Sequence, residues 1–507
     1  MALAAVFLVQ GLVVYLFAAA QAVRFPFAID YGEGIVWQQM LLIVSAKGYG
    51  SIDGLPAIVF HYPPVFHVMS AVLAAASGLD QLAAGRLLSI AATASTALFA
   101  AMIVGHLCRA TADRRACWIC GLLTGMMVFS LSPVVDWSML MRVDMVALAF
   151  SFAGVYYGIR ALAQPKAVYI AALCFVIAVY TKQTAIAAPA AVFGTLLVLR
   201  PKTALAGVLT SVASGLAVLA ALSWFTDGGF LRHILWYNIN RVDPHRLLWI
   251  VGIAARHALY LAVAAVVVVQ RLRKLRATNP EHSNLRSLRS RLIAAPHDAG
   301  FIMILAYFLA TTLMLVTVAK SGSSINYFVE WTCSIVLLVG LALCDAAKAA
   351  TGASRFVPSA SLTLLLPLAV AIQALILPNA PDQRDLMDPA RRQELNTLGE
   401  MVRTASRPVI SDDMAILLRN NKEVQWEPAI FAELSSTGLW DERPIVNKIN
   451  AGVFAFFITD GVRGERLFDS RYNPAVADAI DAAYPKKSKL AGYTLHFPTQ
   501  PPTSPQR

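Results

Sequence analysis

The segment Asp30-Tyr31-Gly32-Glu33-Gly34 places two carboxylates between glycines, directly after an apolar stretch running from Ala2 to Val23. Such a segment suits a bilayer edge better than a buried core, and a carboxylate there can take the proton of a hydroxyl. Three other groups could join that chemistry. Arg142-Val143-Asp144 sets a cation and an acid at the mouth of an apolar run, where an ionised group needs a partner or a water-filled cavity. An interfacial salt bridge is the competing reading for Asp144. Thr181-Lys182-Gln183-Thr184 lies in a tight turn between apolar stretches, so Lys182 can hold a phosphate as a point charge or snorkel from a helix end. The third group, Lys320 to Tyr327 followed by Glu330, is rich in donors. Asn326 and Tyr327 suit sugar hydroxyls or a diphosphate, and Glu330 must face a cavity or a cation. Phe230 to Arg246 mixes rings and cations, which fits a glycolipid and equally an amphipathic interface helix.

The elements that must position these groups are membrane helices. The chain has 507 residues, of which 58% are hydrophobic and 14% charged, and its mean hydropathy is +0.61. This is the composition of a polytopic α-helical membrane protein. A hydrocarbon core of ~30 Å needs about 20 apolar residues per helix. Eleven spans are expected, at 2–23, 84–107, 117–135, 143–163, 166–181, 185–199, 203–225, 247–269, 300–318, 326–344 and 356–377. Val65 to Ser77 is too short to cross comfortably and follows Tyr62-Pro63-Pro64, so it is read as an interfacial helix. The first span has no Lys or Arg before it and is read as an uncleaved helix rather than a signal peptide.

Orientation follows the basic residues, which stay in the cytoplasm when they lie in short loops. Arg109 to Arg115, Lys166, Arg200 to Lys202, Arg271 to Arg291 and Lys348 to Arg355 fall on one side of the count. The N-terminus is thus expected to be cytoplasmic, and Asp30 to Tyr62, Asp136 to Arg142, Thr181 to Gln183, Phe225 to Arg246, Lys320 to Tyr327 and the tail after Pro378 extracytoplasmic. Much of the net charge of +12 lies in Arg271 to Arg291, read as a topology-setting loop, and no nucleic-acid partner is expected.

After residue 377 the composition turns polar. Residues 378–497 are expected to form a small soluble α/β domain, and 498–507 a disordered tail. Pro408 to Ile410, Phe454 to Ile458 and Tyr493 to Phe497 read as strands and Arg391 to Thr404 as a helix, while Asp412-Asp413 suits a cation or substrate hydroxyls but is read as a strand-to-helix cap. None of the six cysteines lies in this tail, so no disulfide framework is implied. Cys117-x-x-Cys120, near Cys108 and His106, is explained by helical spacing rather than by a metal.

Asp30-Tyr31-Gly32-Glu33, Tyr62-Pro63-Pro64, Gly85-Arg86-Leu87-Leu88, Arg142-Val143-Asp144, Tyr180-Thr181-Lys182-Gln183 and Asn326-Tyr327-Phe328-Val329-Glu330 form an ordered set on one side of the membrane. The set resembles the GT-C membrane glycosyltransferases, specifically the bacterial relatives of protein mannosyltransferases and aminoarabinose transferases. The resemblance implies inverting transfer of a sugar from a polyprenyl-phosphate donor to a glycan, lipid or protein acceptor outside a bacterial inner membrane. It assigns Asp30 as general base, Glu33 as its support and Asp144 as a second acid. Lys182 takes a phosphate contact, and His61, Tyr62, Arg142, Gln183, Asn326, Tyr327 and Glu330 are substrate-binding positions. A divalent cation on Asp30, Glu33 and Asp144 is left open, with metal independence favoured because the sequence lacks a dense set of oxygen ligands. A flippase of a lipid-linked polar substrate is the alternative from another class, although no internal repeat supports it. A scaffold with a sensing tail leaves the Asp30 segment unexplained.

Overall fold

A computed structural model describes residues 1–109, 113–277, 285–350, 360–377, 386 and 388–499. The chain is mostly helical. The first helices are α1 (Ala2–Arg24), α2 (Tyr31–Val44), α3 (Val65–Ser77), α4 (Gln81–Cys108), α5 (Arg114–Val128), α6 (Ser132–Trp137), α7 (Asp144–Ala161), α8 (Ala167–Thr181), α9 (Ala187–Leu199) and α10 (Pro201–Phe225). Later helices include Leu248–Arg256, Ala258–Ala277, Pro296–Met314, Val329–Ala350 and Ala360–Ile376.

Five helices among the described residues are long and apolar enough to cross a bilayer: Ala2–Arg24, Gln81–Cys108, Pro201–Phe225, Pro296–Ala319 and Ile325–Ala349. A sixth is reached by joining Pro244–Arg256 to Ala258–Arg276 across a bend of 78°. Eleven separate spans are not recovered by length and composition. The expected span at 117–135 is broken between α5 and α6, and that at 185–199 is a helix of 13 residues. The Val329–Ala350 helix runs through the middle of the bundle, with most of its side chains buried against neighbouring helices. The expected basic loop at 271–291, the start of the span at 356–377 and the tail from residue 500 lie wholly or partly outside the described residues.

The segment at Asp30 is the first turn of a helix. Asp30 is the N-cap of α2 and accepts from Gly32 N–H, while the Glu33 side chain accepts from Asp30 N–H, a reciprocal capping box.

After the bundle come the helix Pro389–Thr404 and a four-stranded sheet of Ile410–Ser411, Phe457–Thr459, Lys486–Leu490 and Tyr493–Phe497. The first two strands pair in parallel and the others antiparallel, so the spatial order is first, second, fourth, third. Two apolar cores join this sheet to the segment between α1 and α3. One combines Phe25, Phe27, Tyr49 and Phe60 with Val409, Ile416, Ile458 and Leu495. The other combines Ile52 and Val59 with Trp426, Phe431, Ile449 and Phe457. Backbone pairing reinforces both, since Ala57 N–H donates to the Gln425 carbonyl at 2.8 Å and Ala57 bridges Trp426 in parallel.

Candidate active site

Glu33 is fully buried, and its carboxylate is saturated. Arg86 of α4 donates from Nε to Oε1 at 2.8 Å and from Nη2 to Oε2 at 2.7 Å, and the Met141 and Ile29 backbone N–H groups add bonds at 2.8 and 2.7 Å. The remaining N–H groups of Arg86 go to the carbonyls of Ala22, Phe25 and Phe27. One buried ion pair thus ties the end of α1, the start of α2, α4 and the loop before α7. Burial alone would raise the Glu33 carboxyl, but the Arg86 charge and hydrogen bonds outweigh it and hold the group below the usual glutamate value. Glu33 therefore positions Asp30 and has no free oxygen edge for a substrate.

Asp30 is placed differently. Its Oδ1 accepts from Gly32 N–H at 2.9 Å and from Arg142 Nη1 at 3.3 Å, and the side chain remains 30% exposed. Burial raises its carboxyl above the usual aspartate value, and Arg142 opposes that rise. Gly32 is required by this contact, because a Cβ there would fall 1.2 Å from Arg142 Nη1. The guanidinium also donates to Tyr62 Oη at 3.4 Å and lies 4.9 Å from the centre of the Trp137 ring.

Trp137 links this group to a second one. Its Nε1 donates to Asp144 Oδ2 at 2.7 Å, while Asp144 Oδ1 accepts from Lys182 Nζ at 2.6 Å and from Asn326 Nδ2 at 2.9 Å. Lys182 lies 5.3 Å from the Tyr327 ring centre. Glu330 accepts from Tyr307 Oη at 2.8 Å and lines a cavity of 40 Å³ with Asp144, Ser151, Lys182 and Asn326. Gln183 Nε2 donates to the His61 carbonyl at 2.9 Å, and the His61 ring meets Gln39 Nε2 at 3.1 Å through Nδ1. Burial, helped by the charges of Arg142 and His233, lowers His61 to about 4, so its ring is neutral.

The sequence-derived candidates thus form two linked carboxylate–cation clusters with His61 and Gln183 beside them, while Glu33 stands behind. Several of the polar atoms have no partner: Tyr31 Oη, Arg142 Nε, Gln183 Oε1 and Asn326 Oδ1 are buried without a hydrogen bond. Buried polar atoms are normally satisfied, so Arg142 Nε beside Asp30 and Asn326 Oδ1 at the small cavity are places that a polar ligand would complete.

The carboxylates do not converge on a common cation position. Glu33 is directed at Arg86, and both Asp144 oxygens are engaged. Among the described residues, the one group with metal-ligand proximity is Cys108, Cys120 and Cys344, whose sulfurs lie within 4.8 Å of one another inside the bundle.

Sequence reasoning gave Arg86 no role and did not place Gln39, Glu427 or Arg471 at the site. Glu427 and Arg471 come from the tail. Glu427 is a lone acid in a polar stretch with no motif around it, and only the pairing of Gln425 and Trp426 with Ala57 brings it here. Asp413 caps a helix as the capping reading expects, whereas Asp412 is held in a buried ion pair instead. Asp413 accepts from Ile416 N–H at a helix start, and Asp412 accepts from Arg471, Tyr472 Oη and Asp460 N–H.

No family profile matches the chain, and no curated protein matches it in sequence. The fold is similar to that of ArnT from Cupriavidus metallidurans. The apo structure superposes with a TM-score of 0.59 at 12% identity, covering 97% of each chain. The structure bound to undecaprenyl phosphate gives 0.56 at 14%, again covering 97% of each. At these identities the likeness shows the fold, which is ArnT-like over nearly the whole chain.

Proposed function

We propose that this chain is a glycosyltransferase that moves a sugar from a polyprenyl-phosphate donor to a hydroxyl acceptor on the extracytoplasmic face of a bacterial inner membrane, with inversion at the anomeric carbon. The observation that carries this reading is the pairing of Asp30 with Arg142, close in the chain to Asp144 and its partner Lys182, beside polar atoms of Arg142, Gln183 and Asn326 that lack hydrogen bonds. The likeness of fold to a protein solved with undecaprenyl phosphate supports a lipid-phosphate donor.

In this reading the acceptor O–H gives its proton to Asp30 as the new O–C1 bond forms. The C1–O bond to phosphate breaks, and the lipid phosphate leaves as an anion facing Arg142 and Lys182. The base needs a free oxygen edge, and Asp30 retains one because its hydrogen bonds fall on Oδ1. Its raised carboxyl is a stronger base once ionised, which helps proton removal near neutral pH. Arg142 serves both partners, since its contact with Asp30 can pass to phosphate as the aspartate takes up the proton.

The test is release of radiolabelled sugar from a panel of undecaprenyl-phosphate hexoses and pentoses by wild type and Asp30→Asn, with and without chelator. Loss of turnover by about 10²–10⁴-fold in Asp30→Asn, with lipid-phosphate binding kept, is expected for a lost general base. Binding of the lipid sugars without turnover by either protein would instead favour a flippase.

A further inference from the structure

We propose that Glu427, brought by the C-terminal sheet domain, forms with Tyr31 and His61 a subsite that recognises an uncharged hydroxyl of the acceptor, so that the acceptor is a neutral glycan or polyol rather than a phosphate ester. The proposal rests on the glycosyltransferase reading and adds its acceptor class.

Glu427 is unusual among the carboxylates of the cleft. Its side chain is 4% exposed, makes no hydrogen bond among the described residues, and has His61 Nε2 as its nearest cation-forming atom, at 4.0 Å. A buried carboxyl left without a partner is costly unless it is neutral or a ligand completes it. Its position is rigid. It precedes the helix Pro428–Ser436, and the adjacent Trp426 pairs with Ala57 in the strand-like segment that leads to His61. Tyr31, in the first turn of α2, presents a buried hydroxyl close to Glu427 that makes no hydrogen bond of full geometry, with the Ala429 backbone N–H as its neighbour.

The ionisation of the three groups agrees. Burial pushes Glu427 up to about 8 against the pull of Arg142 and Arg471, pushes His61 down to about 4, and raises Tyr31 well above its usual value. At neutral pH each is predominantly a neutral group able both to donate and to accept, which is the chemistry that binds a hydroxyl. The cations nearby are committed. Arg471 Nη1 lies 2.8 Å from both Asp412 and Asp460, with its guanidinium 4.1 Å from the Tyr31 ring centre, and Arg142 is paired with Asp30. A phosphate entering at Glu427 itself would find, among the described residues, no lysine or arginine within ion-pair distance of that carboxyl, whose only such neighbour is the neutral His61, while Arg142 faces the donor phosphate. On the Lys182 side, Asn326 and Gln183 offer the polar edges that a donor needs.

The experiment compares wild type, Glu427→Gln and Glu427→Ala in steady-state transfer from the donor that the wild type turns over, with a neutral trisaccharide or the same trisaccharide carrying a phosphate monoester as acceptor. Undecaprenyl-phosphate binding and the thermal midpoint in detergent report folding. The proposal expects wild type to use the neutral acceptor at least tenfold better. It also expects Glu427→Ala to raise the KM for that acceptor at least tenfold, Glu427→Gln to raise it less, and the donor KM to stay within twofold. A preference for the phosphorylated acceptor, an unchanged acceptor KM in well-folded variants, or an equal rise in donor and acceptor KM would overturn the subsite while leaving the glycosyltransferase reading intact. Absence of turnover by wild type with every donor would overturn that reading, and the subsite with it.

Discussion

Asp30 and Glu33 sit three residues apart and do opposite things. Asp30 keeps an oxygen toward the cleft, whereas Glu33 is enclosed by Arg86 and three backbone N–H groups. Removing one partner of such a buried pair leaves an uncompensated charge, which costs about 3–5 kcal/mol. Arg86→Met is therefore expected to lower the thermal midpoint strongly, and Arg86→Met with Glu33→Leu to recover part of the loss. A midpoint equal to wild type for the single variant would refute the role given to the pair. The pH dependence has a definite sign. Because Glu33 titrates below its unfolded value of about 4.3, its contribution is complete above that pH and is lost as pH falls through the lower folded value. Acid unfolding monitored in wild type and the double variant should separate below pH ~4. Type and spacing alone do not separate Asp30 from Glu33; the resemblance ranks Asp30 as base and Glu33 as support, but nothing in the sequence reveals that an arginine 53 residues later encloses Glu33.

At the scale of elements, α2 carries the site on one end and the C-terminal domain along its side. Gly34 makes the second contact possible, since a Cβ there would lie 2.7 Å from Ala415 N and 2.9 Å from Met414 Cβ. The neighbours are backbone and a helix-bound side chain, which cannot swing aside. Gly34→Val is expected to destabilise by about 1–3 kcal/mol through overpacking. It should also speed limited proteolysis within 400–497, and an unchanged digestion pattern would count against this contact. Arg419, which donates to Asp80 at the start of α4, adds a polar tie on the same side. Long helices with sustained hydropathy, such as α1, α4 and α10, were legible from composition alone. The broken and short ones were not, because α5 stops at Phe129 and α6 restarts at Ser132 through local turn geometry within an apolar run. In the tail, strands rich in aromatic and β-branched residues were legible. Lys486–Leu490 was not, because an exposed edge strand carrying Lys486, Lys487 and Lys489 shows no apolar alternation.

Taken as a whole molecule, the cleft is built from both ends of the chain. Trp440 Nε1 donates to the Ile52 carbonyl across 388 residues, and the two cores of the sheet domain are completed by side chains between Phe25 and Phe60. A chain truncated after residue 377 is expected to lose turnover and to expose the Tyr49 to His61 segment to protease, even if its membrane helices assemble. Retained activity in that truncation would show that the sheet domain is dispensable. The overall architecture was readable because hydropathy records which segments the lipid solvates. The closure of the site was not, because it depends on pairings between distant stretches that no local pattern encodes.

The parallel pairing of Ala57 with Trp426 also sets an order of events during synthesis. The segment from Asp30 to His61 emerges early and the stretch around Trp426 that pairs with Ala57 late, so the early segment waits through most of translation without that partner.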